Sequence, residues 1–167
     1  MNIATLHYYF PTKEALIRAV VGHAMGRFRT TFAAGGAPGA QLEAHFRGVR
    51  RLFHDEPELF VVMGELAQRS ARDAAIAAIF KETNDTWHAT IRGLLRHAQA
   101  DGSLDSGLDP DATAALVTAT FRGLMMLPAV TSSSQRIEQS LTQLERFLGI
   151  HKGKRKVGAR SPRRPTA

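Results

Sequence analysis

The chain has 167 residues, enough for one domain or one and a fraction, and 44% of them are hydrophobic, enough for a real core. It contains no cysteine, which excludes disulfides, thiolate metal sites and a cysteine nucleophile. The formal charge of +7 lies in the tail: residues 151–167 hold seven Lys/Arg and no acid, and setting those seven aside leaves 15 bases against 15 acids in residues 1–150.

No apolar run approaches the roughly 20 residues of a membrane span. The longest candidates, in 112–130, are interrupted by Thr118, Thr120 and Arg122. The first residues have no basic-then-apolar layout of a signal peptide. A cytoplasmic protein with no membrane partner is expected.

The pattern is helical throughout. Residues 2–10 form a short first block, with Asn2 as a plausible cap and Ile3, Leu6 and Phe10 on one face. Pro11 stops it, because the residue before a proline avoids the helical region. Thr12 then caps a long helix, Lys13 to about Ala33, with Glu14 in its first turn and an apolar stripe of Leu16, Ala19/Val20, His23/Ala24, Phe28 and Phe32. After the Gly35–Gly39 loop a third helix covers about Ala40–His54. Its apolar face is Leu42, Phe46, Val49 and Phe53, with Arg47, Arg50 and Arg51 mostly opposite. Pro57 opens a fourth helix to about Ser70.

The fifth helix is the longest, about Asp73–Ala100, and keeps helical spacing through Ile76, Ile79, Phe80, Thr83, Trp87, Ile91, Leu94 and Ala98. Asp109-Pro110 starts the sixth. Leu116, Val117, Phe121, Leu124, Met125 and Leu127 leave it few polar positions, so burial on more than one side is expected. Pro128 is expected to end or kink it. A seventh helix, about Ser133–Leu148, carries Ile137, Leu141, Leu144 and Leu148 at spacings of 4, 3 and 4, a narrow seam fit for a partner helix.

The segment Thr5-Leu6-His7-Tyr8-Tyr9-Phe10-Pro11-Thr12-Lys13-Glu14-Ala15-Leu16 resembles the most diagnostic stretch of the TetR family of transcriptional regulators. There the end of a recognition helix runs through a short turn into a long helix. Thr5, Leu6, Phe10, Lys13 and Leu16 match the family pattern; His7 stands where tyrosine is usual and Tyr9 where histidine is common. The physics of the motif agrees with the resemblance. Thr5 can touch a base edge or thymine methyl, and Tyr8 can bond phosphate or stack on sugar. His7 and Tyr9 can donate to phosphate, and Lys13 sits at a helix N-terminus that already favours an anion. Alone, Tyr8 and Tyr9 would read as packing aromatics and Lys13 as a solvated lysine. In register with the whole motif, Thr5, His7, Tyr8, Tyr9 and Lys13 are read as DNA contacts.

The resemblance implies an all-α fold: the remnant of a helix-turn-helix in residues 1–33, then a TetR-type ligand-binding and dimerisation bundle in 40–149, giving about six to seven helices. Residues 150–167 are expected to be a disordered basic tail, by default a solubility tail, alternatively a phosphate-binding arm or an interaction tail. The family's earlier helices do not precede the motif in this sequence. Weak, unselective DNA binding by the chain as written is therefore expected, since a nine-residue helix is marginal alone.

The family's middle helices enclose an apolar pocket. Phe60, Met63, Trp87, Ile91, Phe121 and Met125 are its candidate lining here, for a small hydrophobic ligand; the alternative is that all six are simply core. The last two helices resemble the family's homodimer interface, with Leu116, Leu124, Ile137, Leu141, Leu144 and Leu148 as candidates and Gly123 allowing close helix approach. Intramolecular packing of the same stripe is the alternative.

No catalytic residue or metal ligand nominates itself. H-E-x-x-H, G-x-S-x-G, a phosphate loop and G-x-G-x-x-G are all absent, and the seven histidines are scattered. The expected function is that of a ligand-responsive regulator, a repressor, with DNA as partner, no cofactor and no enzymatic activity. Two alternatives remain: a dimerising ligand sensor without specific DNA binding, and, weaker, an all-helical cofactor-dependent enzyme.

Overall fold

The computed structural model describes residues 3–32, 35–130 and 134–150. Asn2 as a cap, the side chains of Ile3 and Leu127 and the basic tail from residue 151 lie outside the described set. The described residues form seven helices: α1 (Ile3–Tyr9), α2 (Lys13–Arg29), α3 (Pro38–Asp55), α4 (Pro57–Ser70), α5 (Ala74–Ala100), α6 (Pro110–Val130) and α7 (Ser134–Leu148).

The boundaries follow from capping chemistry. Thr12 accepts from the Ala15 amide at 3.1 Å and opens α2. Asp73 Oδ1 accepts from the Ala75 and Ile76 amides and opens α5, and Asp109 does the same for α6 through Asp111 and Ala112. Pro38, Pro57 and Pro110 each occupy a first turn, where the missing N–H costs nothing. Gly149, at φ 71°, closes α7 in the left-handed conformation.

Two boundaries differ from the sequence expectation. The helix α2 ends at Arg29, because the hydroxyls of Thr30 and Thr31 bond back to the Arg27 and Phe28 carbonyls and compete with further turns. The helix α6 continues past Pro128 to Val130. A proline removes its own N–H, while the residues after it can still donate.

α5 and α6 are central: α5 packs against α2, α3, α4 and α6, and α6 also packs against α4 and α7. The core joins Phe28, Phe46, Phe60, Trp87, Ile91, Leu95, Val117, Phe121 and Leu141. The buried face of α2 is Ile17, Val21, Ala24 and Phe28: Ala24 and Phe28 are in the expected stripe, whereas Ile17 and Val21 replace Leu16 and Val20, which are half-buried, and Ala19 and His23 are exposed. Gly48 lets α3 pass close to the end of α2, since a Cβ there would lie 2.9 Å from Thr31 Cα. No described helix packs against α1. No helix among the described residues is long and apolar enough to cross a membrane.

Candidate regulatory site

α1 presents the expected DNA contacts to solvent. Thr5 and His7 are exposed, and Tyr8 and Tyr9 are 83% and 67% exposed. Their rings meet edge to face, centroids 5.3 Å apart. Phe10 and Leu6 are half-buried and hold the turn toward α2, the Phe10 amide donating to the Leu6 carbonyl. Lys13 behaves differently from the other four. Its Nζ donates to Asp73 Oδ2 at 2.8 Å, which ties the start of α2 to the cap of α5. The ammonium of Lys13, with the two capped amides, holds the Asp73 carboxyl below its usual range.

Two more ion pairs fix the other turns of α2. Arg18 reaches Glu82 on α5 at 3.0 Å. Arg27 reaches Glu56, at the α3–α4 junction, through both Nε (2.7 Å) and Nη2. These bonds lower the Glu56 pKa and raise that of Arg27.

A cavity of about 320 Å³ lies between α2 and α5. Its apolar wall is Val21, Met25, Phe28 and Phe32 on one side and Ile79 and Trp87 on the other, with Thr83, Thr86, Thr90, Arg29 and the Arg18–Glu82 pair also lining it. A second cavity, about 40 Å³, lies among α4, α5 and α6. Met25, Thr83 and Trp87 line both, so they form the partition between the two.

Of the six expected lining residues, Trp87 borders both cavities, and Met63 and Met125 border the smaller one. Phe60, Ile91 and Phe121 border neither and are at most 1% exposed, in the core. The structure therefore puts the larger of these two cavities against α2, rather than wholly among the third to sixth helices.

Sequence reading missed His45. It is fully buried and lies in an aromatic cage: flat against Phe32 (4.0 Å, 4°) and edge-on to Phe46, Trp87 and Phe121. Burial pushes its pKa down to about 3, so the ring is neutral. The available signal was its place among Leu42, Phe46, Val49 and Leu52 on the apolar face of α3.

The expected dimer residues divide. Leu124, Leu141, Leu144 and Leu148 are buried within the chain and Ile137 is half-buried. The 4-3-4 seam finds its partners in α3 and α6. Leu116 remains 44% exposed, and Phe147, which the sequence reading did not single out, is 57% exposed. Both line a cleft between α6 and α7 with Thr120, Gln139, Ser140 and Gln143. Gly123 is exposed, with no atom within 4 Å of where its Cβ would be.

A family model described as BetI-type transcriptional repressor, C-terminal, matches residues 38–150. The fold is similar to that of a TetR transcription regulator from Haloarcula marismortui, with TM-score 0.77, 16% identity, and coverage of 89% of this chain and 79% of the other. It is also similar to a putative TetR-family regulator from Rhodococcus sp. (TM-score 0.70, 23% identity, 88% and 79% covered). Salmonella enterica GusR gives TM-score 0.63, 22% identity, and 89% and 79% covered. At these identities the solved structures speak to the fold alone. No curated protein matches the chain significantly. The domain match spans most of the chain and agrees with the seven-helix architecture, and on that ground the chain belongs to the TetR family of transcription regulators, with the BetI-type C-terminal domain over residues 38–150.

Proposed function

We propose that this regulator is a cytoplasmic, ligand-responsive repressor that works as a homodimer. One observation carries the reading: the larger apolar cavity has α2 as one wall, and α2 leads directly out of the α1 segment. A ligand that spreads or closes the α2–α5 gap re-aims α1. The pairs Lys13–Asp73, Arg18–Glu82 and Arg27–Glu56 hold α2 to α5 and to the α3–α4 junction, so a shift of α2 has to break or re-form them. The ligand shifts the equilibrium only by its difference in affinity for the two α2 positions. Thr5, His7, Tyr8 and Tyr9 are the DNA contacts, and Lys13 divides its charge between Asp73 and phosphate.

A second reading, a dimerising sensor without selective DNA binding, is favoured by the absence of any described helix packed against α1. Selection of duplexes from a random pool separates the two. Recovery of an inverted repeat, bound about tenfold more weakly by Tyr8→Ala, supports the repressor. Salt-sensitive binding with no enriched sequence supports the sensor.

The dimer face proposed is the Leu116–Phe147 cleft with Gly123 beside it. Light scattering at micromolar concentration should give twice the 18.3 kDa chain mass. Phe147→Asp should return the monomer mass, because a charge would be buried without a partner. A wild-type monomer rules the homodimer out.

A further inference from the structure

The arginines of α2 are Arg18, Arg27 and Arg29. Arg18 is paired with Glu82 and Arg27 with Glu56. The side chain of Arg29 has no hydrogen bond or ion pair among the described residues, and it lines the α2–α5 cavity.

The register of α2 against α5 sets the two ends of that cavity. Lys13 meets Asp73, Arg18 meets Glu82, and the Phe28 ring meets Trp87 with centroids 4.9 Å apart, so the two helices run in the same direction. The Arg18–Glu82 pair therefore closes one end. Arg29 lies past the Phe28–Trp87 contact, toward Thr90. The stretch of α2 from Arg18 to Arg29 covers roughly 16 Å of helix axis. Between these ends the walls are apolar, with Val21, Met25 and Phe28 facing Ile79 and Trp87.

The polar groups of the lining differ in what they can still offer. Glu82, the acid among them, already holds the Arg18 guanidinium. Thr86 and Thr90 donate their hydroxyl hydrogens to the Glu82 and Thr86 carbonyls of their own helix, both at 2.9 Å. Neither has a hydrogen left for a ligand. At the Thr90 end the donor is thus Arg29. Two arginines and one glutamate line the cavity, so its positive charge is uncompensated at the Arg29 end alone.

We infer that the α2–α5 cavity takes an amphipathic monocarboxylate, its carboxylate held by Arg29 and its apolar body laid between α2 and α5 toward the Arg18–Glu82 pair. The inference rests on the reading of this cavity as the ligand site. A guanidinium presents parallel N–H groups that match the two oxygens of a carboxylate. Arg29 is exposed, so the headgroup keeps contact with water and its desolvation is incomplete. An ammonium would meet the charge of Arg29 and compete with Arg18 for Glu82. A carboxamide has the shape of the carboxylate without its charge.

Octanoate, octanamide and octylammonium therefore test it. Trp87 is the single tryptophan of the chain and borders the cavity, so its emission reports binding, with calorimetry as the second readout. Octanoate should bind about tenfold tighter than octanamide, the worth of charge-assisted bonds over neutral ones, and octylammonium should bind weakest. In Arg29→Gln the octanoate–octanamide ratio should fall below about threefold with octanamide binding unchanged, and Arg29→Lys should keep part of the preference as a point charge. Arg29 ends α2 and its side chain has no partner to lose, so neither variant threatens the fold. Equal binding of all three probes, tightest binding of octylammonium, or an octanoate preference that survives Arg29→Gln overturns the carboxylate assignment and leaves the cavity reading intact. No effect of any probe on Trp87 emission or heat, up to its solubility limit, overturns both.

Discussion

Taking the protein from pH 7 to pH 4.5 should remove about 2–3 kcal/mol of folding stability through His45 alone, and His45→Phe should abolish that loss. The folded pKa of His45 is about 3, against an ordinary value of 6.5. Between those values the unfolded chain binds a proton and the folded chain does not. Stability therefore rises with pH through that window and is fully present above about 6.5. Protonation in the fold would place a cation among Phe32, Phe46, Trp87 and Phe121. Each unit of pH below the unfolded pKa costs about 1.4 kcal/mol until the folded value is reached.

The other shifted groups act elsewhere on the pH scale. Glu56, Asp73, Asp101 and Asp111 are held below their ordinary values of 4.5 and 3.8 by hydrogen-bonded partners. Their contributions are lost only as pH falls through and below that range. Urea unfolding at pH 7, 5.5 and 4.5, wild type against His45→Phe, isolates the histidine. Equal losses in both proteins would remove the case for a neutral buried ring. At pH 7 the variant should differ little, since it removes an unpaired nitrogen along with one hydrogen bond to Thr31.

The helices were legible because their ends are written in local chemistry. Thr12, Pro57, Asp73, Asp109-Pro110 and Gly149 act on their own neighbouring amides or dihedrals, and no tertiary information is needed to place them. Facing was less legible. In α2 the pairs Leu16-Ile17 and Val20-Val21 allow two stripes one residue apart, and the choice of Ile17 and Val21 is made by packing against α5 and α3. The 4-3-4 seam of α7 announced a partner but could not say that the partner was α3 and α6 of the same chain.

The candidate site was legible in part for a related reason. Large apolar residues at helical spacing mark the core; a cavity is where such residues fail to meet, and failure to meet has no sequence pattern. Trp87, Met63 and Met125 fall beside cavities while Phe60, Ile91 and Phe121 fall between helices, yet all six look alike in sequence. His45 and Arg50 are the converse case. Each is polar in one dimension and acquires its role only from distant elements.

Arg50 carries the other large expected effect: Arg50→Ala should destabilise the fold by about 3 kcal/mol or more, whereas Arg50→Met with Glu145→Leu should come out near neutral. The sequence places Arg50 on the polar side of α3. The structure turns it onto α7, where Nη1 and Nη2 reach the two Glu145 oxygens at 2.6 and 2.5 Å. Nε also donates to Glu138 at 3.0 Å, and Nη2 contacts the Thr142 hydroxyl at 3.3 Å. The bidentate bond to Glu145 is the main reason the guanidinium pKa is raised. Glu145 is 1% exposed, while the Arg50 side chain keeps 20%. Removing the arginine takes two charge-assisted bonds from a carboxylate shut away from water, and the desolvation of that charge loses the offset those two bonds supplied. Removing Glu145 should cost less, because Arg50 retains Glu138 and some access to solvent. That asymmetry between the two single variants, read by denaturant unfolding, distinguishes a buried clamp from an ordinary surface pair, whose two single variants would each cost about 1 kcal/mol or less. The clamp is also the polar bond between α3 and the helix that carries Phe147. Arg50→Ala should therefore weaken the homodimer as well as the monomer, and a variant that loses stability while keeping wild-type dimer affinity would separate α7 docking from the dimer face.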